Sequence, residues 1–224
     1  MKIFYDNKCF VNQKYGGVSE YFNQLRNGLD KINSLEVKQG GLLNYFHMRS
    51  LSHININKPA NKILRSFDQS CTMLQKSINR PDIYNSTYYS TPKNKNAKCK
   101  YVLTFFDAMH EELPDYFINT DKTLKLKTES IARADGIICI SDTSLNYLRK
   151  HYDIKDKLVR TIYLCSTPIQ DTEEACKINK IGSEFILYVG SMSGYKNFKR
   201  FYQSFLESSL SRSHKMVVAS YEKL

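Results

Sequence analysis

Short runs that are apolar on both faces, separated by stretches with helical spacing, restrict this chain more than any other feature. The strand candidates are Ile3–Tyr5, Asp82–Ser86, Tyr101–Phe106, Gly136–Ile140, Leu158–Tyr163 and Phe185–Gly190, with a further one at Lys215–Ser220. A strand apolar on both faces is a buried strand of a parallel sheet, covered by helices above and below. The helix candidates fall between them. Val18, Tyr21, Phe22, Leu25 and Leu29 recur at helical spacing, and further helices are expected over Lys122–Ala134, after Ser141 or Asp142 as N-cap, and over Lys196–Leu210. Met48–Ile78 reads as helical in pieces, without clear ends. Alternation of this kind predicts an α/β sandwich on a parallel sheet.

The pattern breaks at 166–183, STPIQDTEEACKINKIGS, which is polar and weakly periodic, as a linker is. The expected organisation is therefore a first domain over 1–165, a linker over 166–183, and the start of a second α/β domain over 184–224. About forty residues of strand–helix–strand cannot cover both faces of their own sheet. An exposed apolar face, and with it self-association, is expected there.

Hydrophobic residues make up 42% of the chain, which argues against wholesale disorder. The 33 Lys and Arg exceed the 22 Asp and Glu, giving a formal charge of +11 that favours anionic partners: nucleic acid, anionic lipid or a phosphorylated substrate. The local concentration KNKNAKCK, Lys93–Lys100, reads as a solvated loop or as a patch facing a membrane. The six cysteines form no C-x-x-C pair and no zinc-type spacing, which points to a reducing compartment and no metal. The N-terminus has no signal-peptide core and no window reaches the length of a bilayer span, so a cytoplasmic protein is expected.

In open α/β folds ligands bind in loops at the carboxyl ends of strands. Three such loops carry chemistry. In KYGGVS, Gly16 and Gly17 read either as a tight positive-φ turn or as a helix N-terminus with bare N–H groups facing a phosphate. The spacing is neither that of a dinucleotide fingerprint nor that of a P-loop. In FFDAMHEELP, Asp107, His110, Glu111 and Glu112 gather four ionisable groups within six residues. They suit acid–base work or recognition of a polyol, and equally a helix start with Asp107 as cap and the glutamates on the dipole. In GSMSGYKN, Lys196 is expected to open a helix, where it opposes the dipole; it makes better sense beside an anion.

Taken in order, KYGGVSEYFNQL, YNSTYYSTP, VLTFFDAMHEELPDYF, RADGIICISDTSLNYLRKHYDI and FILYVGSMSGYKNFKRFYQSF resemble segments of the retaining glycosyltransferases of family 4. That resemblance covers essentially the whole chain. It implies a GT-B fold: Rossmann-like parallel-sheet sandwiches, here an N-terminal acceptor-side domain and an incomplete nucleotide-sugar-binding domain. It also implies sugar transfer from a nucleotide-sugar to a glycan or lipid-linked acceptor in cell-surface polysaccharide or lipopolysaccharide assembly, at the inner face of a bacterial membrane and without a metal or other cofactor. Asp107 and His110 would then act on the acceptor hydroxyl, and Gly16, Gly17 and Lys196 would hold the donor diphosphate.

The chain departs from the family at three matched positions: Asn85 and Phe106 stand where histidine is usual, and Met192 where relatives have arginine. The family's E-x7-E element has no counterpart in this sequence, which is therefore expected to be a truncated relative. Two other classes stay open: an inactive remnant of such an enzyme, and a basic nucleic-acid-binding protein. The second has no RNA-recognition, helix-turn-helix or zinc signature to support it.

Overall fold

The structure, a computed structural model, describes residues 1–12, 16–41, 58–90, 98–117, 120–165, 184–192 and 194–220. The expected linker at 166–183 and most of the Lys93–Lys100 run lie outside the described residues. The chain forms two compact units, Met1–Glu112 with Asn119–Leu164, and Leu113–Ile118 with Cys165–Leu224.

The first unit is a six-stranded, wholly parallel sheet. Its elements are β1 (Lys2–Tyr5), α1 (Lys8–Asn12), α2 (Gly17–Leu29), β2 (Glu36–Gln39), α3 (Lys58–Asn79), β3 (Ile83–Ser86), β4 (Lys100–Phe105), α4 (Met109–Glu112), α5 (Thr120–Arg133), β5 (Gly136–Cys139), α6 (Asp142–His151) and β6 (Leu158–Thr161). The strand order is β2-β1-β3-β4-β5-β6. Five of the six strands are those predicted. β2, with the sequence EVKQ, was not: it has one apolar residue, because it is an edge strand that needs no second covered face. The short helix α1 was also not expected.

Alternation along the strands divides the core in two. Phe4, Tyr84, Tyr101, Leu103, Phe105, Ile137 and Cys139 form one face with Ile131 of α5 and Leu148 of α6. Ile3 and Tyr5 form the other with Cys9, Phe10 and Phe22. The parallel register, with Ile3 opposite Ile83 and Phe4 opposite Tyr84, keeps each set on its own side. Ser141 caps α6 as expected, its hydroxyl accepting from the Ser144 amide at 3.0 Å.

Helix α3 explains why Met48–Ile78 read poorly. Its sheet-facing side is polar, built from buried Asp68 and Thr72, with the Lys76 ammonium 3.8 Å from the centre of the Tyr84 ring. Its large apolar residues Phe67, Met73, Leu74 and Ile78 face outward. Residues 48–57 of the predicted stretch lie outside the described residues.

In the second unit β7 (Phe185–Val189) pairs in parallel with β8 (Lys215–Ala219). Between them come a 3-10 turn at Gly194–Lys196, helix α7 (Phe198–Glu207) and a 3-10 turn at Ser209–Arg212. Tyr188 turns onto α7, its ring 4.7 Å from that of Phe198 and 5.7 Å from that of Phe201. Phe185, Leu187 and Val189 occupy the opposite face and are exposed, as anticipated for this unit. Among the described residues no helix is long and apolar enough to cross a membrane.

Candidate functional site

The strand order places the topological switch point between β1 and β3, since the chain moves outward from β1 in one direction to β2 and in the other to β3. Ligand crevices of doubly wound sheets open there. At this point, directly after β1, lies a buried carboxylate, Asp6. Its Oδ2 accepts from the Tyr84 hydroxyl at 2.7 Å and the Ser86 hydroxyl at 2.8 Å. Its Oδ1 accepts from the amide of Thr87 at 2.9 Å, the Thr87 hydroxyl, and the Lys8 amide at 3.2 Å. Beside it, the Asn7 amide group donates to Asp68 of α3, and Thr72 donates to Asn7 Oδ1 at 3.3 Å. None of this was foreseen. The available signal was an acid placed immediately after an apolar strand, with a Ser/Thr-rich segment following β3.

The glycines hold a correction. Gly16 has φ 169°, extended backbone open to any residue, and Gly17 is the first residue of α2 with open space where a Cβ would sit. The predicted positive φ is therefore absent at Gly16 and Gly17. What remains is a helix start with no side-chain cap, whose Gly16 carbonyl accepts from the Glu20 amide at 3.1 Å and the Ser19 hydroxyl at 2.9 Å. The backbone demand falls instead on the pair after β2. Gly41 has φ +96°, and a Cβ there would lie 2.1 Å from Asn7 Nδ2. A Cβ on Gly40 would lie 2.6 Å from the Phe4 ring. Gly41→Ala should cost about 2 kcal/mol of stability, whereas Gly17→Ala should be neutral or add up to about 1 kcal/mol. Urea midpoints of the two variants would show this, and the reverse order would refute it.

Phe106 joins three of the strand-end loops. Its ring meets Tyr21 of α2 at 5.4 Å and Phe22 at 6.1 Å, both edge-on. Its carbonyl accepts from the Ser144 hydroxyl in the first turn of α6 at 2.7 Å. Phe106 is thus a packing hub. Asn85 lies buried on the face of the sheet shared by Tyr5, its register partner.

Beyond Phe106 the four ionisable groups separate into two kinds. Glu111 turns inward, where the fully buried Lys127 ammonium of α5 reaches it at 2.7 Å. The same ammonium donates to the Asp107 carbonyl at 2.9 Å, and the Tyr152 hydroxyl donates to Glu111. Glu112 turns outward to Lys150, at 2.6 Å, and His151 of α6. These two glutamates pin α4 to its neighbours. Asp107 is exposed and accepts from the Met109 amide at 3.1 Å, and His110 is half-buried at the same turn. Lys127 had no sequence signal beyond a lysine within an amphipathic helix.

Burial, and after it the Lys127 charge, push the His110 imidazole below its ordinary value of 6.5, against the pull of the Asp107 and Glu111 carboxylates. Between the folded value and 6.5 the unfolded chain therefore binds the extra proton. His110 leaves stability intact above that window and lowers it as pH falls through it. His110→Gln should flatten this part of the decline. Thermal unfolding of both proteins from neutrality to about pH 5 tests it; identical slopes would refute it.

Lys196, expected to open a helix, instead closes the 3-10 turn of the second unit, and α7 begins two residues later behind Asn197, which sits in the left-handed region at φ 54°. Its ammonium lies 5.1 Å from the centre of the Tyr195 ring, and Tyr195 in turn meets Phe117 at 5.3 Å within the same unit. Among the described residues no group of three or more His, Cys, Asp or Glu side chains could hold a metal ion. Cys9, Cys71, Cys99, Cys139 and Cys165 are free thiols. No protein-family model matches the chain, and no curated protein matches it.

Proposed function

We propose that this chain is a retaining glycosyltransferase of the GT-B type, related to family 4. In this reading it takes a sugar from a nucleotide-sugar and passes it to a glycan or lipid-linked acceptor of the cell surface, working at the cytoplasmic face of the membrane. The observation that carries the reading is the Phe106 junction. It brings the uncapped start of α2, the Asp107–His110 turn and the first turn of α6 to one edge of a parallel sheet. Such an edge is where doubly wound folds bind their ligands.

In this mechanism the acceptor hydroxyl meets Asp107 and His110, which orient it and take its proton. An imidazole held neutral by its surroundings is ready to accept that proton near neutral pH. As the anomeric bond breaks, charge develops on the leaving diphosphate. The N–H groups at the start of α2 supply stabilisation for it, with no metal required. The five ordered segments that resemble the family add support independent of the geometry.

The test is a panel of uridine, guanosine, adenosine and thymidine diphosphate sugars, read by ligand-observed NMR and by release of nucleoside diphosphate. At least one donor should bind and turn over in the presence of a membrane acceptor fraction. Binding to none of them, together with strongly salt-dependent binding to RNA or DNA, would replace this reading with the basic nucleic-acid-binding one.

A further inference from the structure

We propose that Lys127 is the positioning residue of the Asp107–His110 turn: from the buried stripe of α5 its ammonium grips that turn at both ends and fixes where the two side chains stand. Lys127 shares the stripe with Ser130 and Ile131, and its side chain is fully buried. The ammonium meets both carboxylate oxygens of Glu111, at 2.7 and 2.8 Å, and donates to the Asp107 carbonyl at 2.9 Å. The rings of Phe105 and Tyr89 flank it, with their centres at 5.0 and 5.1 Å. Asp107 precedes His110 and Glu111 follows it, so one cation closes the segment on both sides.

That segment has little shape of its own. Helix α4 is four residues long, a single turn in which the Ala108 carbonyl accepts from the Glu111 and Glu112 amides. One turn fixes several dihedrals in return for few hydrogen bonds and is unstable in isolation. The ties of Glu112 to Lys150 and His151 are solvent-accessible, where ion pairs hold little. The buried, charge-assisted grip of Lys127 is the stronger one.

Stability alone is a poor reason for such a pair. Desolvating an ammonium and a carboxylate costs about as much as their attraction returns, and apolar side chains of similar volume often hold a fold as well or better. What apolar side chains cannot do is hold a carbonyl and a carboxylate at fixed points. The charged groups around the turn are the Asp107 and Glu111 carboxylates of the segment itself and the Lys127 ammonium from α5. The phenols of Tyr88 and Tyr89 after β3, and of Tyr152 at the end of α6, have their ionisation pushed up by burial and stay neutral.

The inference rests on the function proposed above only for the reaction that the turn serves, and its first readouts need no sugar donor. Lys127→Met alone leaves Glu111 buried and unpaired, so the informative variant is Lys127→Met/Glu111→Met, which removes both charges at similar volume. It should keep a cooperative thermal transition close to that of the unaltered chain, or above it. In nitrogen-15 relaxation the heteronuclear NOEs of the Ala108–Glu111 amides should fall, while those of α5 stay as they were. The His110 ring resonance, identified by its loss in His110→Gln, should titrate at higher pH. Lys127 lowers this imidazole more than Glu111 raises it, and a loosened turn loses burial, which acts in the same direction. With a donor that turns over, kcat should fall ~10²-fold and the donor KM should not change.

Unchanged order at Ala108–Glu111 would overturn the proposal even if the titration moved, because Lys127 would then act by charge alone. Loss of cooperative unfolding would overturn it too, since the pair would then be an anchor of the fold, and so would a kcat equal to that of the unaltered chain. If the unaltered chain binds no donor, the glycosyltransferase reading fails, and the relaxation data still decide the role of Lys127.

Discussion

Replacing Asp6 with alanine should remove most of the stability of the first unit. The substitution strips the acceptor from five donors at once: the Tyr84, Ser86 and Thr87 hydroxyls and the amides of Thr87 and Lys8. Tyr84, Ser86 and Thr87 are themselves buried, so water cannot readily replace the lost partner. A hydrogen bond to a charged group contributes about 1.5–3 kcal/mol, and an orphaned buried donor costs about 1–3 kcal/mol. Relaxation and water entry recover part of this, so the expected loss is about 3–5 kcal/mol, comparable to breaking a buried ion pair. A marginally stable domain has roughly 5–15 kcal/mol in total. Asp6→Asn should also destabilise, because its amide nitrogen turns a donor toward donors. Urea unfolding followed by circular dichroism measures both. A loss below about 1 kcal/mol for Asp6→Ala would show that the network is not the anchor of the β1–β3 boundary.

Asp107→Asn and His110→Gln should each lower the turnover of sugar transfer by ~10²–10⁴-fold, the range for removing a positioned acid–base group. Donor affinity should change little, because in the proposed arrangement neither group touches the diphosphate. His110 adds a signature in pH. Its depressed ionisation, caused by burial and then by the Lys127 charge, places the acid limb of kcat/KM below 6.5, and His110→Gln should remove that limb. Glu112→Gln serves as control. Glu112 is tied to exposed Lys150 and to His151, so its loss should leave turnover near the starting level. Turnover unaffected by both Asp107→Asn and His110→Gln would move the acceptor site elsewhere along the sheet edge.

The parallel sheet was legible because its inner strands are apolar on both faces, and that property is local. β2 escaped because an edge strand meets no such demand. Helix α3 escaped because sequence periodicity reports where the apolar stripe lies, not which way it faces. The two glycine pairs show the same limit. GG before a helix and GG after a strand look alike in the chain, and only the approach of Asn7 to Gly41 says which pair is required. At the candidate site, Asp107 and His110 stood out from spacing alone. That Glu111 and Glu112 are anchors could not be read, because their partners Lys127, Tyr152, Lys150 and His151 come from α5 and from α6 and its end. Asp6 was hidden for the same reason: its hydroxyl donors lie 78 to 81 residues further along.

The pairing of β1 with β3 has a consequence during synthesis. Ile3 aligns with Ile83, and the Ser86 hydroxyl that reaches Asp6 lies 80 residues away from it. At about 5–20 residues per second, the ribosome finishes the second partner roughly 4–16 seconds after the first. Throughout that interval β1 has no partner on its β3 side. The contacts that close this boundary therefore form only after Ser86 and Thr87 have been made.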